Sequence, residues 1–371
     1  MGSLHIAHMS LRPLYGHAAL RHRLTSAASD DRLPASLLLQ GRRGVGKQRL
    51  ALWLGQYLLC DRALADRLPE PCGSCPQCRY AVRVVHPDLH WFFPRPRLKD
   101  GDASPEEIKA DYDDVIRERM EAEGLWAPSL GTEGLHVRTM RALVHQSTRR
   151  PAMAQRAVFV VGDAERMITQ LGGDHGANAF LKLLEEPPPS TTLILTTSEP
   201  GNLLPTITSR VVAIRVLPLG QQDMEDFLDD AAVARKLSRV PRADALARMN
   251  GAPGELFGAD SMTAALAAAQ RMLDAALEPS TPNGSAERIK VAARQGVAGA
   301  RGTFTDILEA LTHLLHRRVQ ELVSLGRDVD ARRTASAVML VEHTKAKAQG
   351  NLSPQLLSAA LLTSLHRTLR P

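Results

Sequence analysis

All four cysteines of the chain, Cys60, Cys72, Cys75 and Cys78, fall within one short stretch. The run Cys72-Gly73-Ser74-Cys75-Pro76-Gln77-Cys78 stacks two C-x-x-C spacings, the pattern that wraps thiolates around a tetrahedral zinc ion. The N-terminus shows no apolar stretch of the secretory kind, so a cytoplasmic setting is expected, where metal binding is favoured over disulfides. Free or redox-active thiols are the competing reading. His86 lies nearby, but four thiolates already complete a closed structural site and leave it a bystander.

A second constellation is Gly41-Arg42-Arg43-Gly44-Val45-Gly46-Lys47-Gln48. Backbone N–H groups of such a loop, together with the helix N-terminus behind it, hold phosphate oxygens while the Lys neutralises them. The position after Lys47 calls for a Ser or Thr hydroxyl to hold Mg²⁺, and here it is Gln48, a longer amide. A tight strand-to-helix turn without a ligand is the plainer alternative. A nucleotide-hydrolysing site also needs an acidic pair at the end of a second strand, one carboxylate for the metal and one for the attacking water. With Ala164-Glu165-Arg166-Met167 aligned to the usual stretch, Gly162 stands at the metal position and Asp163 at the water-activating one. Both departures weaken magnesium binding. Productive ATP hydrolysis, and ATP/Mg²⁺ binding itself, are therefore doubtful.

The remaining candidates are Thr197, at the end of an apolar strand, and Ser209-Arg210, after Leu203-Leu204-Pro205-Thr206-Ile207-Thr208. A single Arg after a turn is by default a surface charge.

These residues need elements to position them. Ser36–Gln40, Ala157–Val161 and Thr191–Thr197 are short apolar runs of the kind found in buried parallel strands. Helical patterns separate them, which predicts a doubly wound α/β region over about residues 12 to 215. A charged, weakly periodic stretch from Arg95 to Gly134 reads as a surface insertion with one helix, from Ser104 to about Ala122, opened by Ser104-Pro105-Glu106-Glu107. After Leu217-Pro218-Leu219-Gly220 the pattern is helical throughout. Asp223–Leu237 and Ala243–Asn250 are expected as short helices closed by Gly251-Ala252-Pro253-Gly254, and Ser353-Pro354 opens the last helix. In Phe304–Leu325, the residues Ile307, Leu308, Leu311, Leu314, Leu315, Val319 and Leu322 make one apolar stripe at helical spacing. Met1–Met9 carry no pattern.

The chain has 371 residues, which suggests two or three domains, and 44% hydrophobic content supplies a sizeable core. No run of eighteen apolar residues is present, so no membrane contact is expected. The net charge of +6 permits nucleic-acid contact without requiring it, and 4% aromatics argue against a base-stacking surface. Any DNA contact would run through Lys and Arg to phosphates.

The order of the pieces carries more than any one of them. Phosphate loop, four-cysteine module, His86-Pro87-Asp88, degenerate acidic strand, Asn178-Ala179-Phe180-Leu181-Lys182-Leu183-Leu184-Glu185-Glu186-Pro187-Pro188, then Leu203–Arg210, together resemble the bacterial clamp-loader ATPases of the AAA+ class over about residues 12 to 260. The C-terminal part agrees in architecture only. The resemblance implies an α/β AAA+ P-loop domain over residues 1–216, a parallel sheet with helices on both faces, carrying the Cys₄ zinc module (60–78) and the insertion (95–134). It further implies a helical lid domain over 217–260 and an all-α collar bundle over 261–371.

The same resemblance assigns roles. Arg210, with Ser209, matches the arginine finger that reaches into a neighbouring subunit's ATP site. Gly41, Gly44, Gly46 and Lys47 match the phosphate loop, and Thr197 falls near the sensor position. The lid pattern Gly251–Gly254 is usually followed by an Arg that touches the γ-phosphate, where this chain has Glu255. The separation of Cys60 from Cys72 and the insertion are longer than usual, and Val211 stands where Cys is common. Such a chain is expected to be a non-hydrolysing stator, a part of a DNA-directed DNA polymerase holoenzyme at the bacterial nucleoid. Its implied partners are the gamma/tau and delta subunits and, through the complex, the sliding clamp and primer-template DNA. The alternatives are a gamma/tau-like motor ATPase, which Gln48, Gly162 and Glu255 oppose, and a P-loop nucleotide kinase, which has no place for the Leu-Glu-Glu-Pro-Pro and Ser-Arg motifs. A zinc-containing DNA-binding regulator would need a recognition helix after the cysteines.

Overall fold

The computed structural model describes residues 10–95, 103–125, 133–167, 175–238, 240–257, 259–279, 281–294, 301–348 and 353–369. Met1–Met9 and parts of the 95–134 stretch lie outside the described residues. In chain order the elements are α1 (Ala18–Ser29), β1 (Ser36–Gln40), α2 (Lys47–Leu59), α3 (Pro76–Ala81), β2 (Leu89–Phe92), α4 (Pro105–Glu121), α5 (Val137–Ser147) and β3 (Ala157–Val161). Then come α6 (His175–Glu185), β4 (Thr191–Thr197), α7 (Pro205–Thr208), β5 (Val212–Arg215), α8 (Gln221–Asp229), α9 (Ala231–Lys236) and α10 (Arg242–Met249). Five further helices follow: α11 (Ala259–Leu277), α12 (Pro282–Arg294), α13 (Arg301–Ser324), α14 (Asp328–Ala348) and α15 (Pro354–Leu369). The described residues form two compact units that divide after Phe257.

The first unit is built on a five-stranded sheet of order β2-β3-β4-β1-β5, every neighbouring pair parallel. The apolar runs in the sequence coincide with β1, β3 and β4, the three inner strands. Each is buried nearly from end to end, as expected when helices cover both faces. This is an α/β fold built on one parallel sheet. Because β1, β3 and β4 are adjacent, the loops leaving their C-terminal ends converge, which is where open parallel sheets bind ligands.

The expected helix Asp223–Leu237 is two helices. Asp230 ends α8 and caps α9, its carboxylate accepting the N–H groups of Ala232 and Val233. The same carboxylate accepts two bonds from Arg12 and one from the Tyr15 hydroxyl, tying the N-terminal segment to the small helical part. Burial opposes its ionisation, but Arg12 and Tyr15 outweigh that and hold its pKa below the usual carboxylate value. Phe227, Leu228, Val233, Met249, Leu256 and Phe257 make a satellite core in this region.

Helix α4 starts at the signal read in the sequence, and there Ser104 and Glu107 form a capping box, each bonding the other's backbone N–H. It is no loose excursion. Ile108, Tyr112, Ile116 and Met120, spaced by four, are buried in the same core as the sheet, and the Tyr112 hydroxyl donates to the carbonyl of Phe93 at 2.6 Å. The second unit is all helical. Its core gathers Ala269, Met272, Phe304, Leu308, Leu311, Leu315, Val341 and Leu362, including most of the stripe foreseen on α13.

Candidate functional site

The loop after β1 runs from Gly41 to Gly46, which caps α2. Gly41 N–H donates to the carbonyl of Thr197, anchoring it on β4, and Gly44 takes a φ of +75° that a side chain would strain. The space above Gly44 is taken by the chain itself. Gly254 N–H donates to the Gly44 carbonyl at 2.9 Å, so the turn carrying Glu255 sits directly on the loop. From the other side, His17 Nε2 lies 3.0 Å from the carbonyl of Val45, and burial lowers its pKa.

Lys47 is buried, and its ammonium is used up locally. Nζ donates to the carbonyls of Gly41 and Arg42, both at 2.9 Å, and to Ser198 Oγ at 2.8 Å. Burial lowers its pKa, while the carboxylates of Asp163, Glu165 and Glu255 act in the opposite direction. Glu165 is itself pushed up by burial and by Asp163, and accepts the N–H of Ser198. Three acidic side chains therefore contribute to the field at the Lys47 ammonium.

Gln48 lies at the magnesium position of the pattern, bonded at both ends. Its Oε1 accepts from Trp91 Nε1 at 3.1 Å, and its Nε2 donates to Asp163 Oδ2 at 3.1 Å. Asp163 holds a left-handed φ of 48°, an unfavourable conformation for a residue with a side chain, which marks this turn as constrained. Thr197 is fully buried, and its hydroxyl accepts the N–H of Glu199.

The cysteines come together. Cys60 ends α2, Cys75 caps α3, and all four Sγ atoms lie within 4.8 Å of one another. The contacts Cys72–Cys78 and Cys60–Cys75 are both 3.9 Å, close to the ~3.8 Å edge of a tetrahedron with metal–sulfur bonds of about 2.3 Å. Backbone N–H groups of Cys72, Cys75 and Cys78 each donate to a sulfur, as thiolates require. The N–H of Cys75 draws the Cys72 pKa down to about 6, whereas burial raises that of Cys78. Donor set and spacing fit one tetrahedral metal ion. His86 stays outside the cluster, with Nε2 2.6 Å from Gln77 Oε1 and Nδ1 accepting the N–H of Asp88. Asp88 in turn accepts the N–H groups of Ala152, Met153 and Ala154, so His86-Pro87-Asp88 latches the approach to β3.

Arg210 stands apart from these groups, on the turn after α7. Nε donates to Glu185 Oε2 at 3.1 Å, and a terminal nitrogen donates to the carbonyl of Thr206 at 3.0 Å and to Ser209 Oγ at 3.3 Å. The side chain keeps 30% of its surface exposed. Glu185 is the last residue of α6, where a helix C-terminus disfavours an acid, and the guanidinium offsets that.

Sequence reading missed Ser198, Trp91, His17 and Glu185 as members of these sites. Only Glu185 carried a signal, as an acid in the last turn before a proline run.

The family model described as "DNA polymerase III, delta subunit" matches residues 16–220. Subunit delta' of DNA polymerase III from Bacillus subtilis is 28% identical over 217 residues, covering 58% of this chain and 52% of that protein. Subunit delta' from Escherichia coli is 27% identical over 269 residues (72% and 66%), and subunit tau from the same organism 27% over 241 residues (65% and 30%). The matches thus span about half to two-thirds of the delta' relatives. A gamma subunit-related protein of Thermotoga maritima superposes with a TM-score of 0.36 at 14% identity, covering 96% of this chain and 100% of that one. With a family model covering more than half of its length and delta' proteins among its relatives, the chain belongs to the delta-prime family of clamp-loader subunits of bacterial DNA polymerase III.

Proposed function

We propose that this chain is a stator of a clamp loader, a subunit that completes the ATP site of a neighbouring gamma/tau subunit and does not turn over ATP itself. The observation that carries this reading is a contrast within one domain. Lys47 and Gln48, which would serve a bound nucleotide and its Mg²⁺, are satisfied by the protein's own carbonyls, hydroxyl, indole and carboxylate. Arg210, which would serve a neighbour's nucleotide, remains at the surface. An arginine supplied in trans stabilises charge on the transferring phosphoryl group and is worth on the order of 10³–10⁵ in rate in related nucleotidases.

In this reading Ser209 holds the finger, Thr197 anchors the degenerate loop of Gly41, Gly44, Gly46 and Lys47, and Cys60, Cys72, Cys75 and Cys78 hold a structural Zn²⁺. The partners are the gamma/tau and delta subunits and, through the assembly, the sliding clamp and primed DNA, in a bacterial cytoplasm. Among the described residues no helix is long and apolar enough to cross a membrane. Co-purification with gamma/tau and delta subunits, followed by ATPase assay with and without this chain, tests the proposal. Failure to associate, or magnesium-dependent turnover by the lone chain, overturns it.

A further inference from the structure

Helix α4 and the edge strand β2, to which the stator reading gives no task, enclose a cleft of about 340 Å³. Leu89 and Phe92 of β2 and Ile116 and Met120 of α4 give it apolar walls, and Arg83, Lys109 and Arg117 bring cationic groups to it. The back wall is braced: His86 lines the cleft and is pinned to Gln77 on the short helix that also carries Cys78.

The charges do not balance. Lys109 is 2.7 Å from Asp113, and Arg117 is 2.9 Å from Asp114. His86 and His90 are lowered by burial, His90 to about 4, and so are neutral near pH 7. That leaves Arg83, which lines the cleft and whose Nε has no hydrogen-bond partner among the described residues. A guanidinium without a partner is matched best by an oxyanion, through charge-assisted and often bidentate bonds. A cavity near 300 Å³ is at the small end for ligand sites, and mixed apolar walls with one convergent polar group are their usual make-up.

We propose that this cleft binds a small ligand bearing a carboxylate or phosphate on an apolar body about the size of one aromatic ring, with Arg83 as its anion-binding residue. The proposal is independent of the stator reading. Calorimetric titration of the full chain with 3-phenylpropionate, phenyl phosphate and the uncharged 3-phenylpropionamide tests it. At least one of the two anions is expected to bind at least about tenfold more tightly than the amide, a gap that corresponds to about 1.4 kcal/mol. Arg83→Gln is expected to remove this preference while leaving the melting temperature unchanged or higher, and Arg83→Lys to retain part of it. If Arg83→Gln fails to fold, the comparison of anion with amide on the unaltered chain and on Arg83→Lys still decides. Equal binding of acid and amide, no binding of either anion at millimolar concentration, or unchanged affinity in Arg83→Gln overturns the proposal.

Discussion

A Cβ atom on Gly162 would lie 2.5 Å from the side-chain amide carbon of Gln48, so the two residues that depart from a magnesium site are complementary in space. The amide fills the volume that the missing side chain vacates, and it bridges Trp91 to Asp163. What the sequence shows as two separate losses is one packing unit.

Gly162→Ala is therefore expected to destabilise the chain by about 1–3 kcal/mol through overpacking. Most of that cost should vanish in the Gln48→Ala background, because a shortened side chain admits the methyl group. Urea unfolding of the two single variants, the double variant and the parent measures the coupling. Strictly additive changes would show that the contact is not what excludes a side chain at position 162.

Four cysteine sulfurs within 4.8 Å of one another could hold one metal ion, and the proposed zinc site predicts about one zinc per chain. Elemental analysis should find the metal in the parent and not in Cys75→Ser, with a lower melting temperature on chelation. A metal-free protein purified without chelators, with unchanged stability, would contradict the metal assignment.

Glu185 holds Arg210 in an ion pair of 3.1 Å at a solvent-facing position, where such pairs contribute only about 0–1 kcal/mol. Glu185→Gln should leave the melting temperature nearly unchanged and should not lower the ATPase rate of an assembled complex. A loss as large as that of Arg210→Ala would mean that the carboxylate takes part in placing the proposed arginine finger.

His90 is buried, stacks on Phe159 at 4.6 Å, and has its pKa lowered by burial to about 4. Between roughly pH 6.5, its unfolded value, and pH 4 the unfolded chain binds the extra proton and the folded chain does not. Stability contributed by the neutral ring is complete above pH 6.5 and declines as pH falls through this window, by up to about 1.4 kcal/mol per pH unit. His86 and His17, also lowered by burial, act in the same direction. Replacing His90 with Phe should flatten the decline in melting temperature between pH 6.5 and 4.5; an unchanged slope would remove His90 from the account.

Local signals carried well from sequence to structure. The strand runs at Ser36, Ala157 and Thr191, the cap at Ser104 and the cysteine spacing each depend on neighbours a few residues away, so pattern alone placed them. What escaped the sequence depends on distant pairs. Asp230, which splits a helical pattern by capping α9, also binds Arg12 and Tyr15, more than two hundred residues earlier. Lys47 finds Ser198 only when β1 and β4 lie side by side, and Gln48 meets Gly162 only because β3 is two strands away. Helix α4 looked peripheral because charges dilute a buried stripe that repeats every fourth residue.

In the proposed function this chain acts on a neighbour's ATP and not on its own. Steady-state ATPase of a complex reconstituted with gamma/tau and delta subunits, comparing the parent chain with Arg210→Ala and Lys47→Met, tests it most directly. Arg210→Ala is expected to remove the share of turnover contributed by the adjoining site, and Lys47→Met to leave the rate unchanged. Full activity with Arg210→Ala, or a loss with Lys47→Met in an intact assembly, would contradict it.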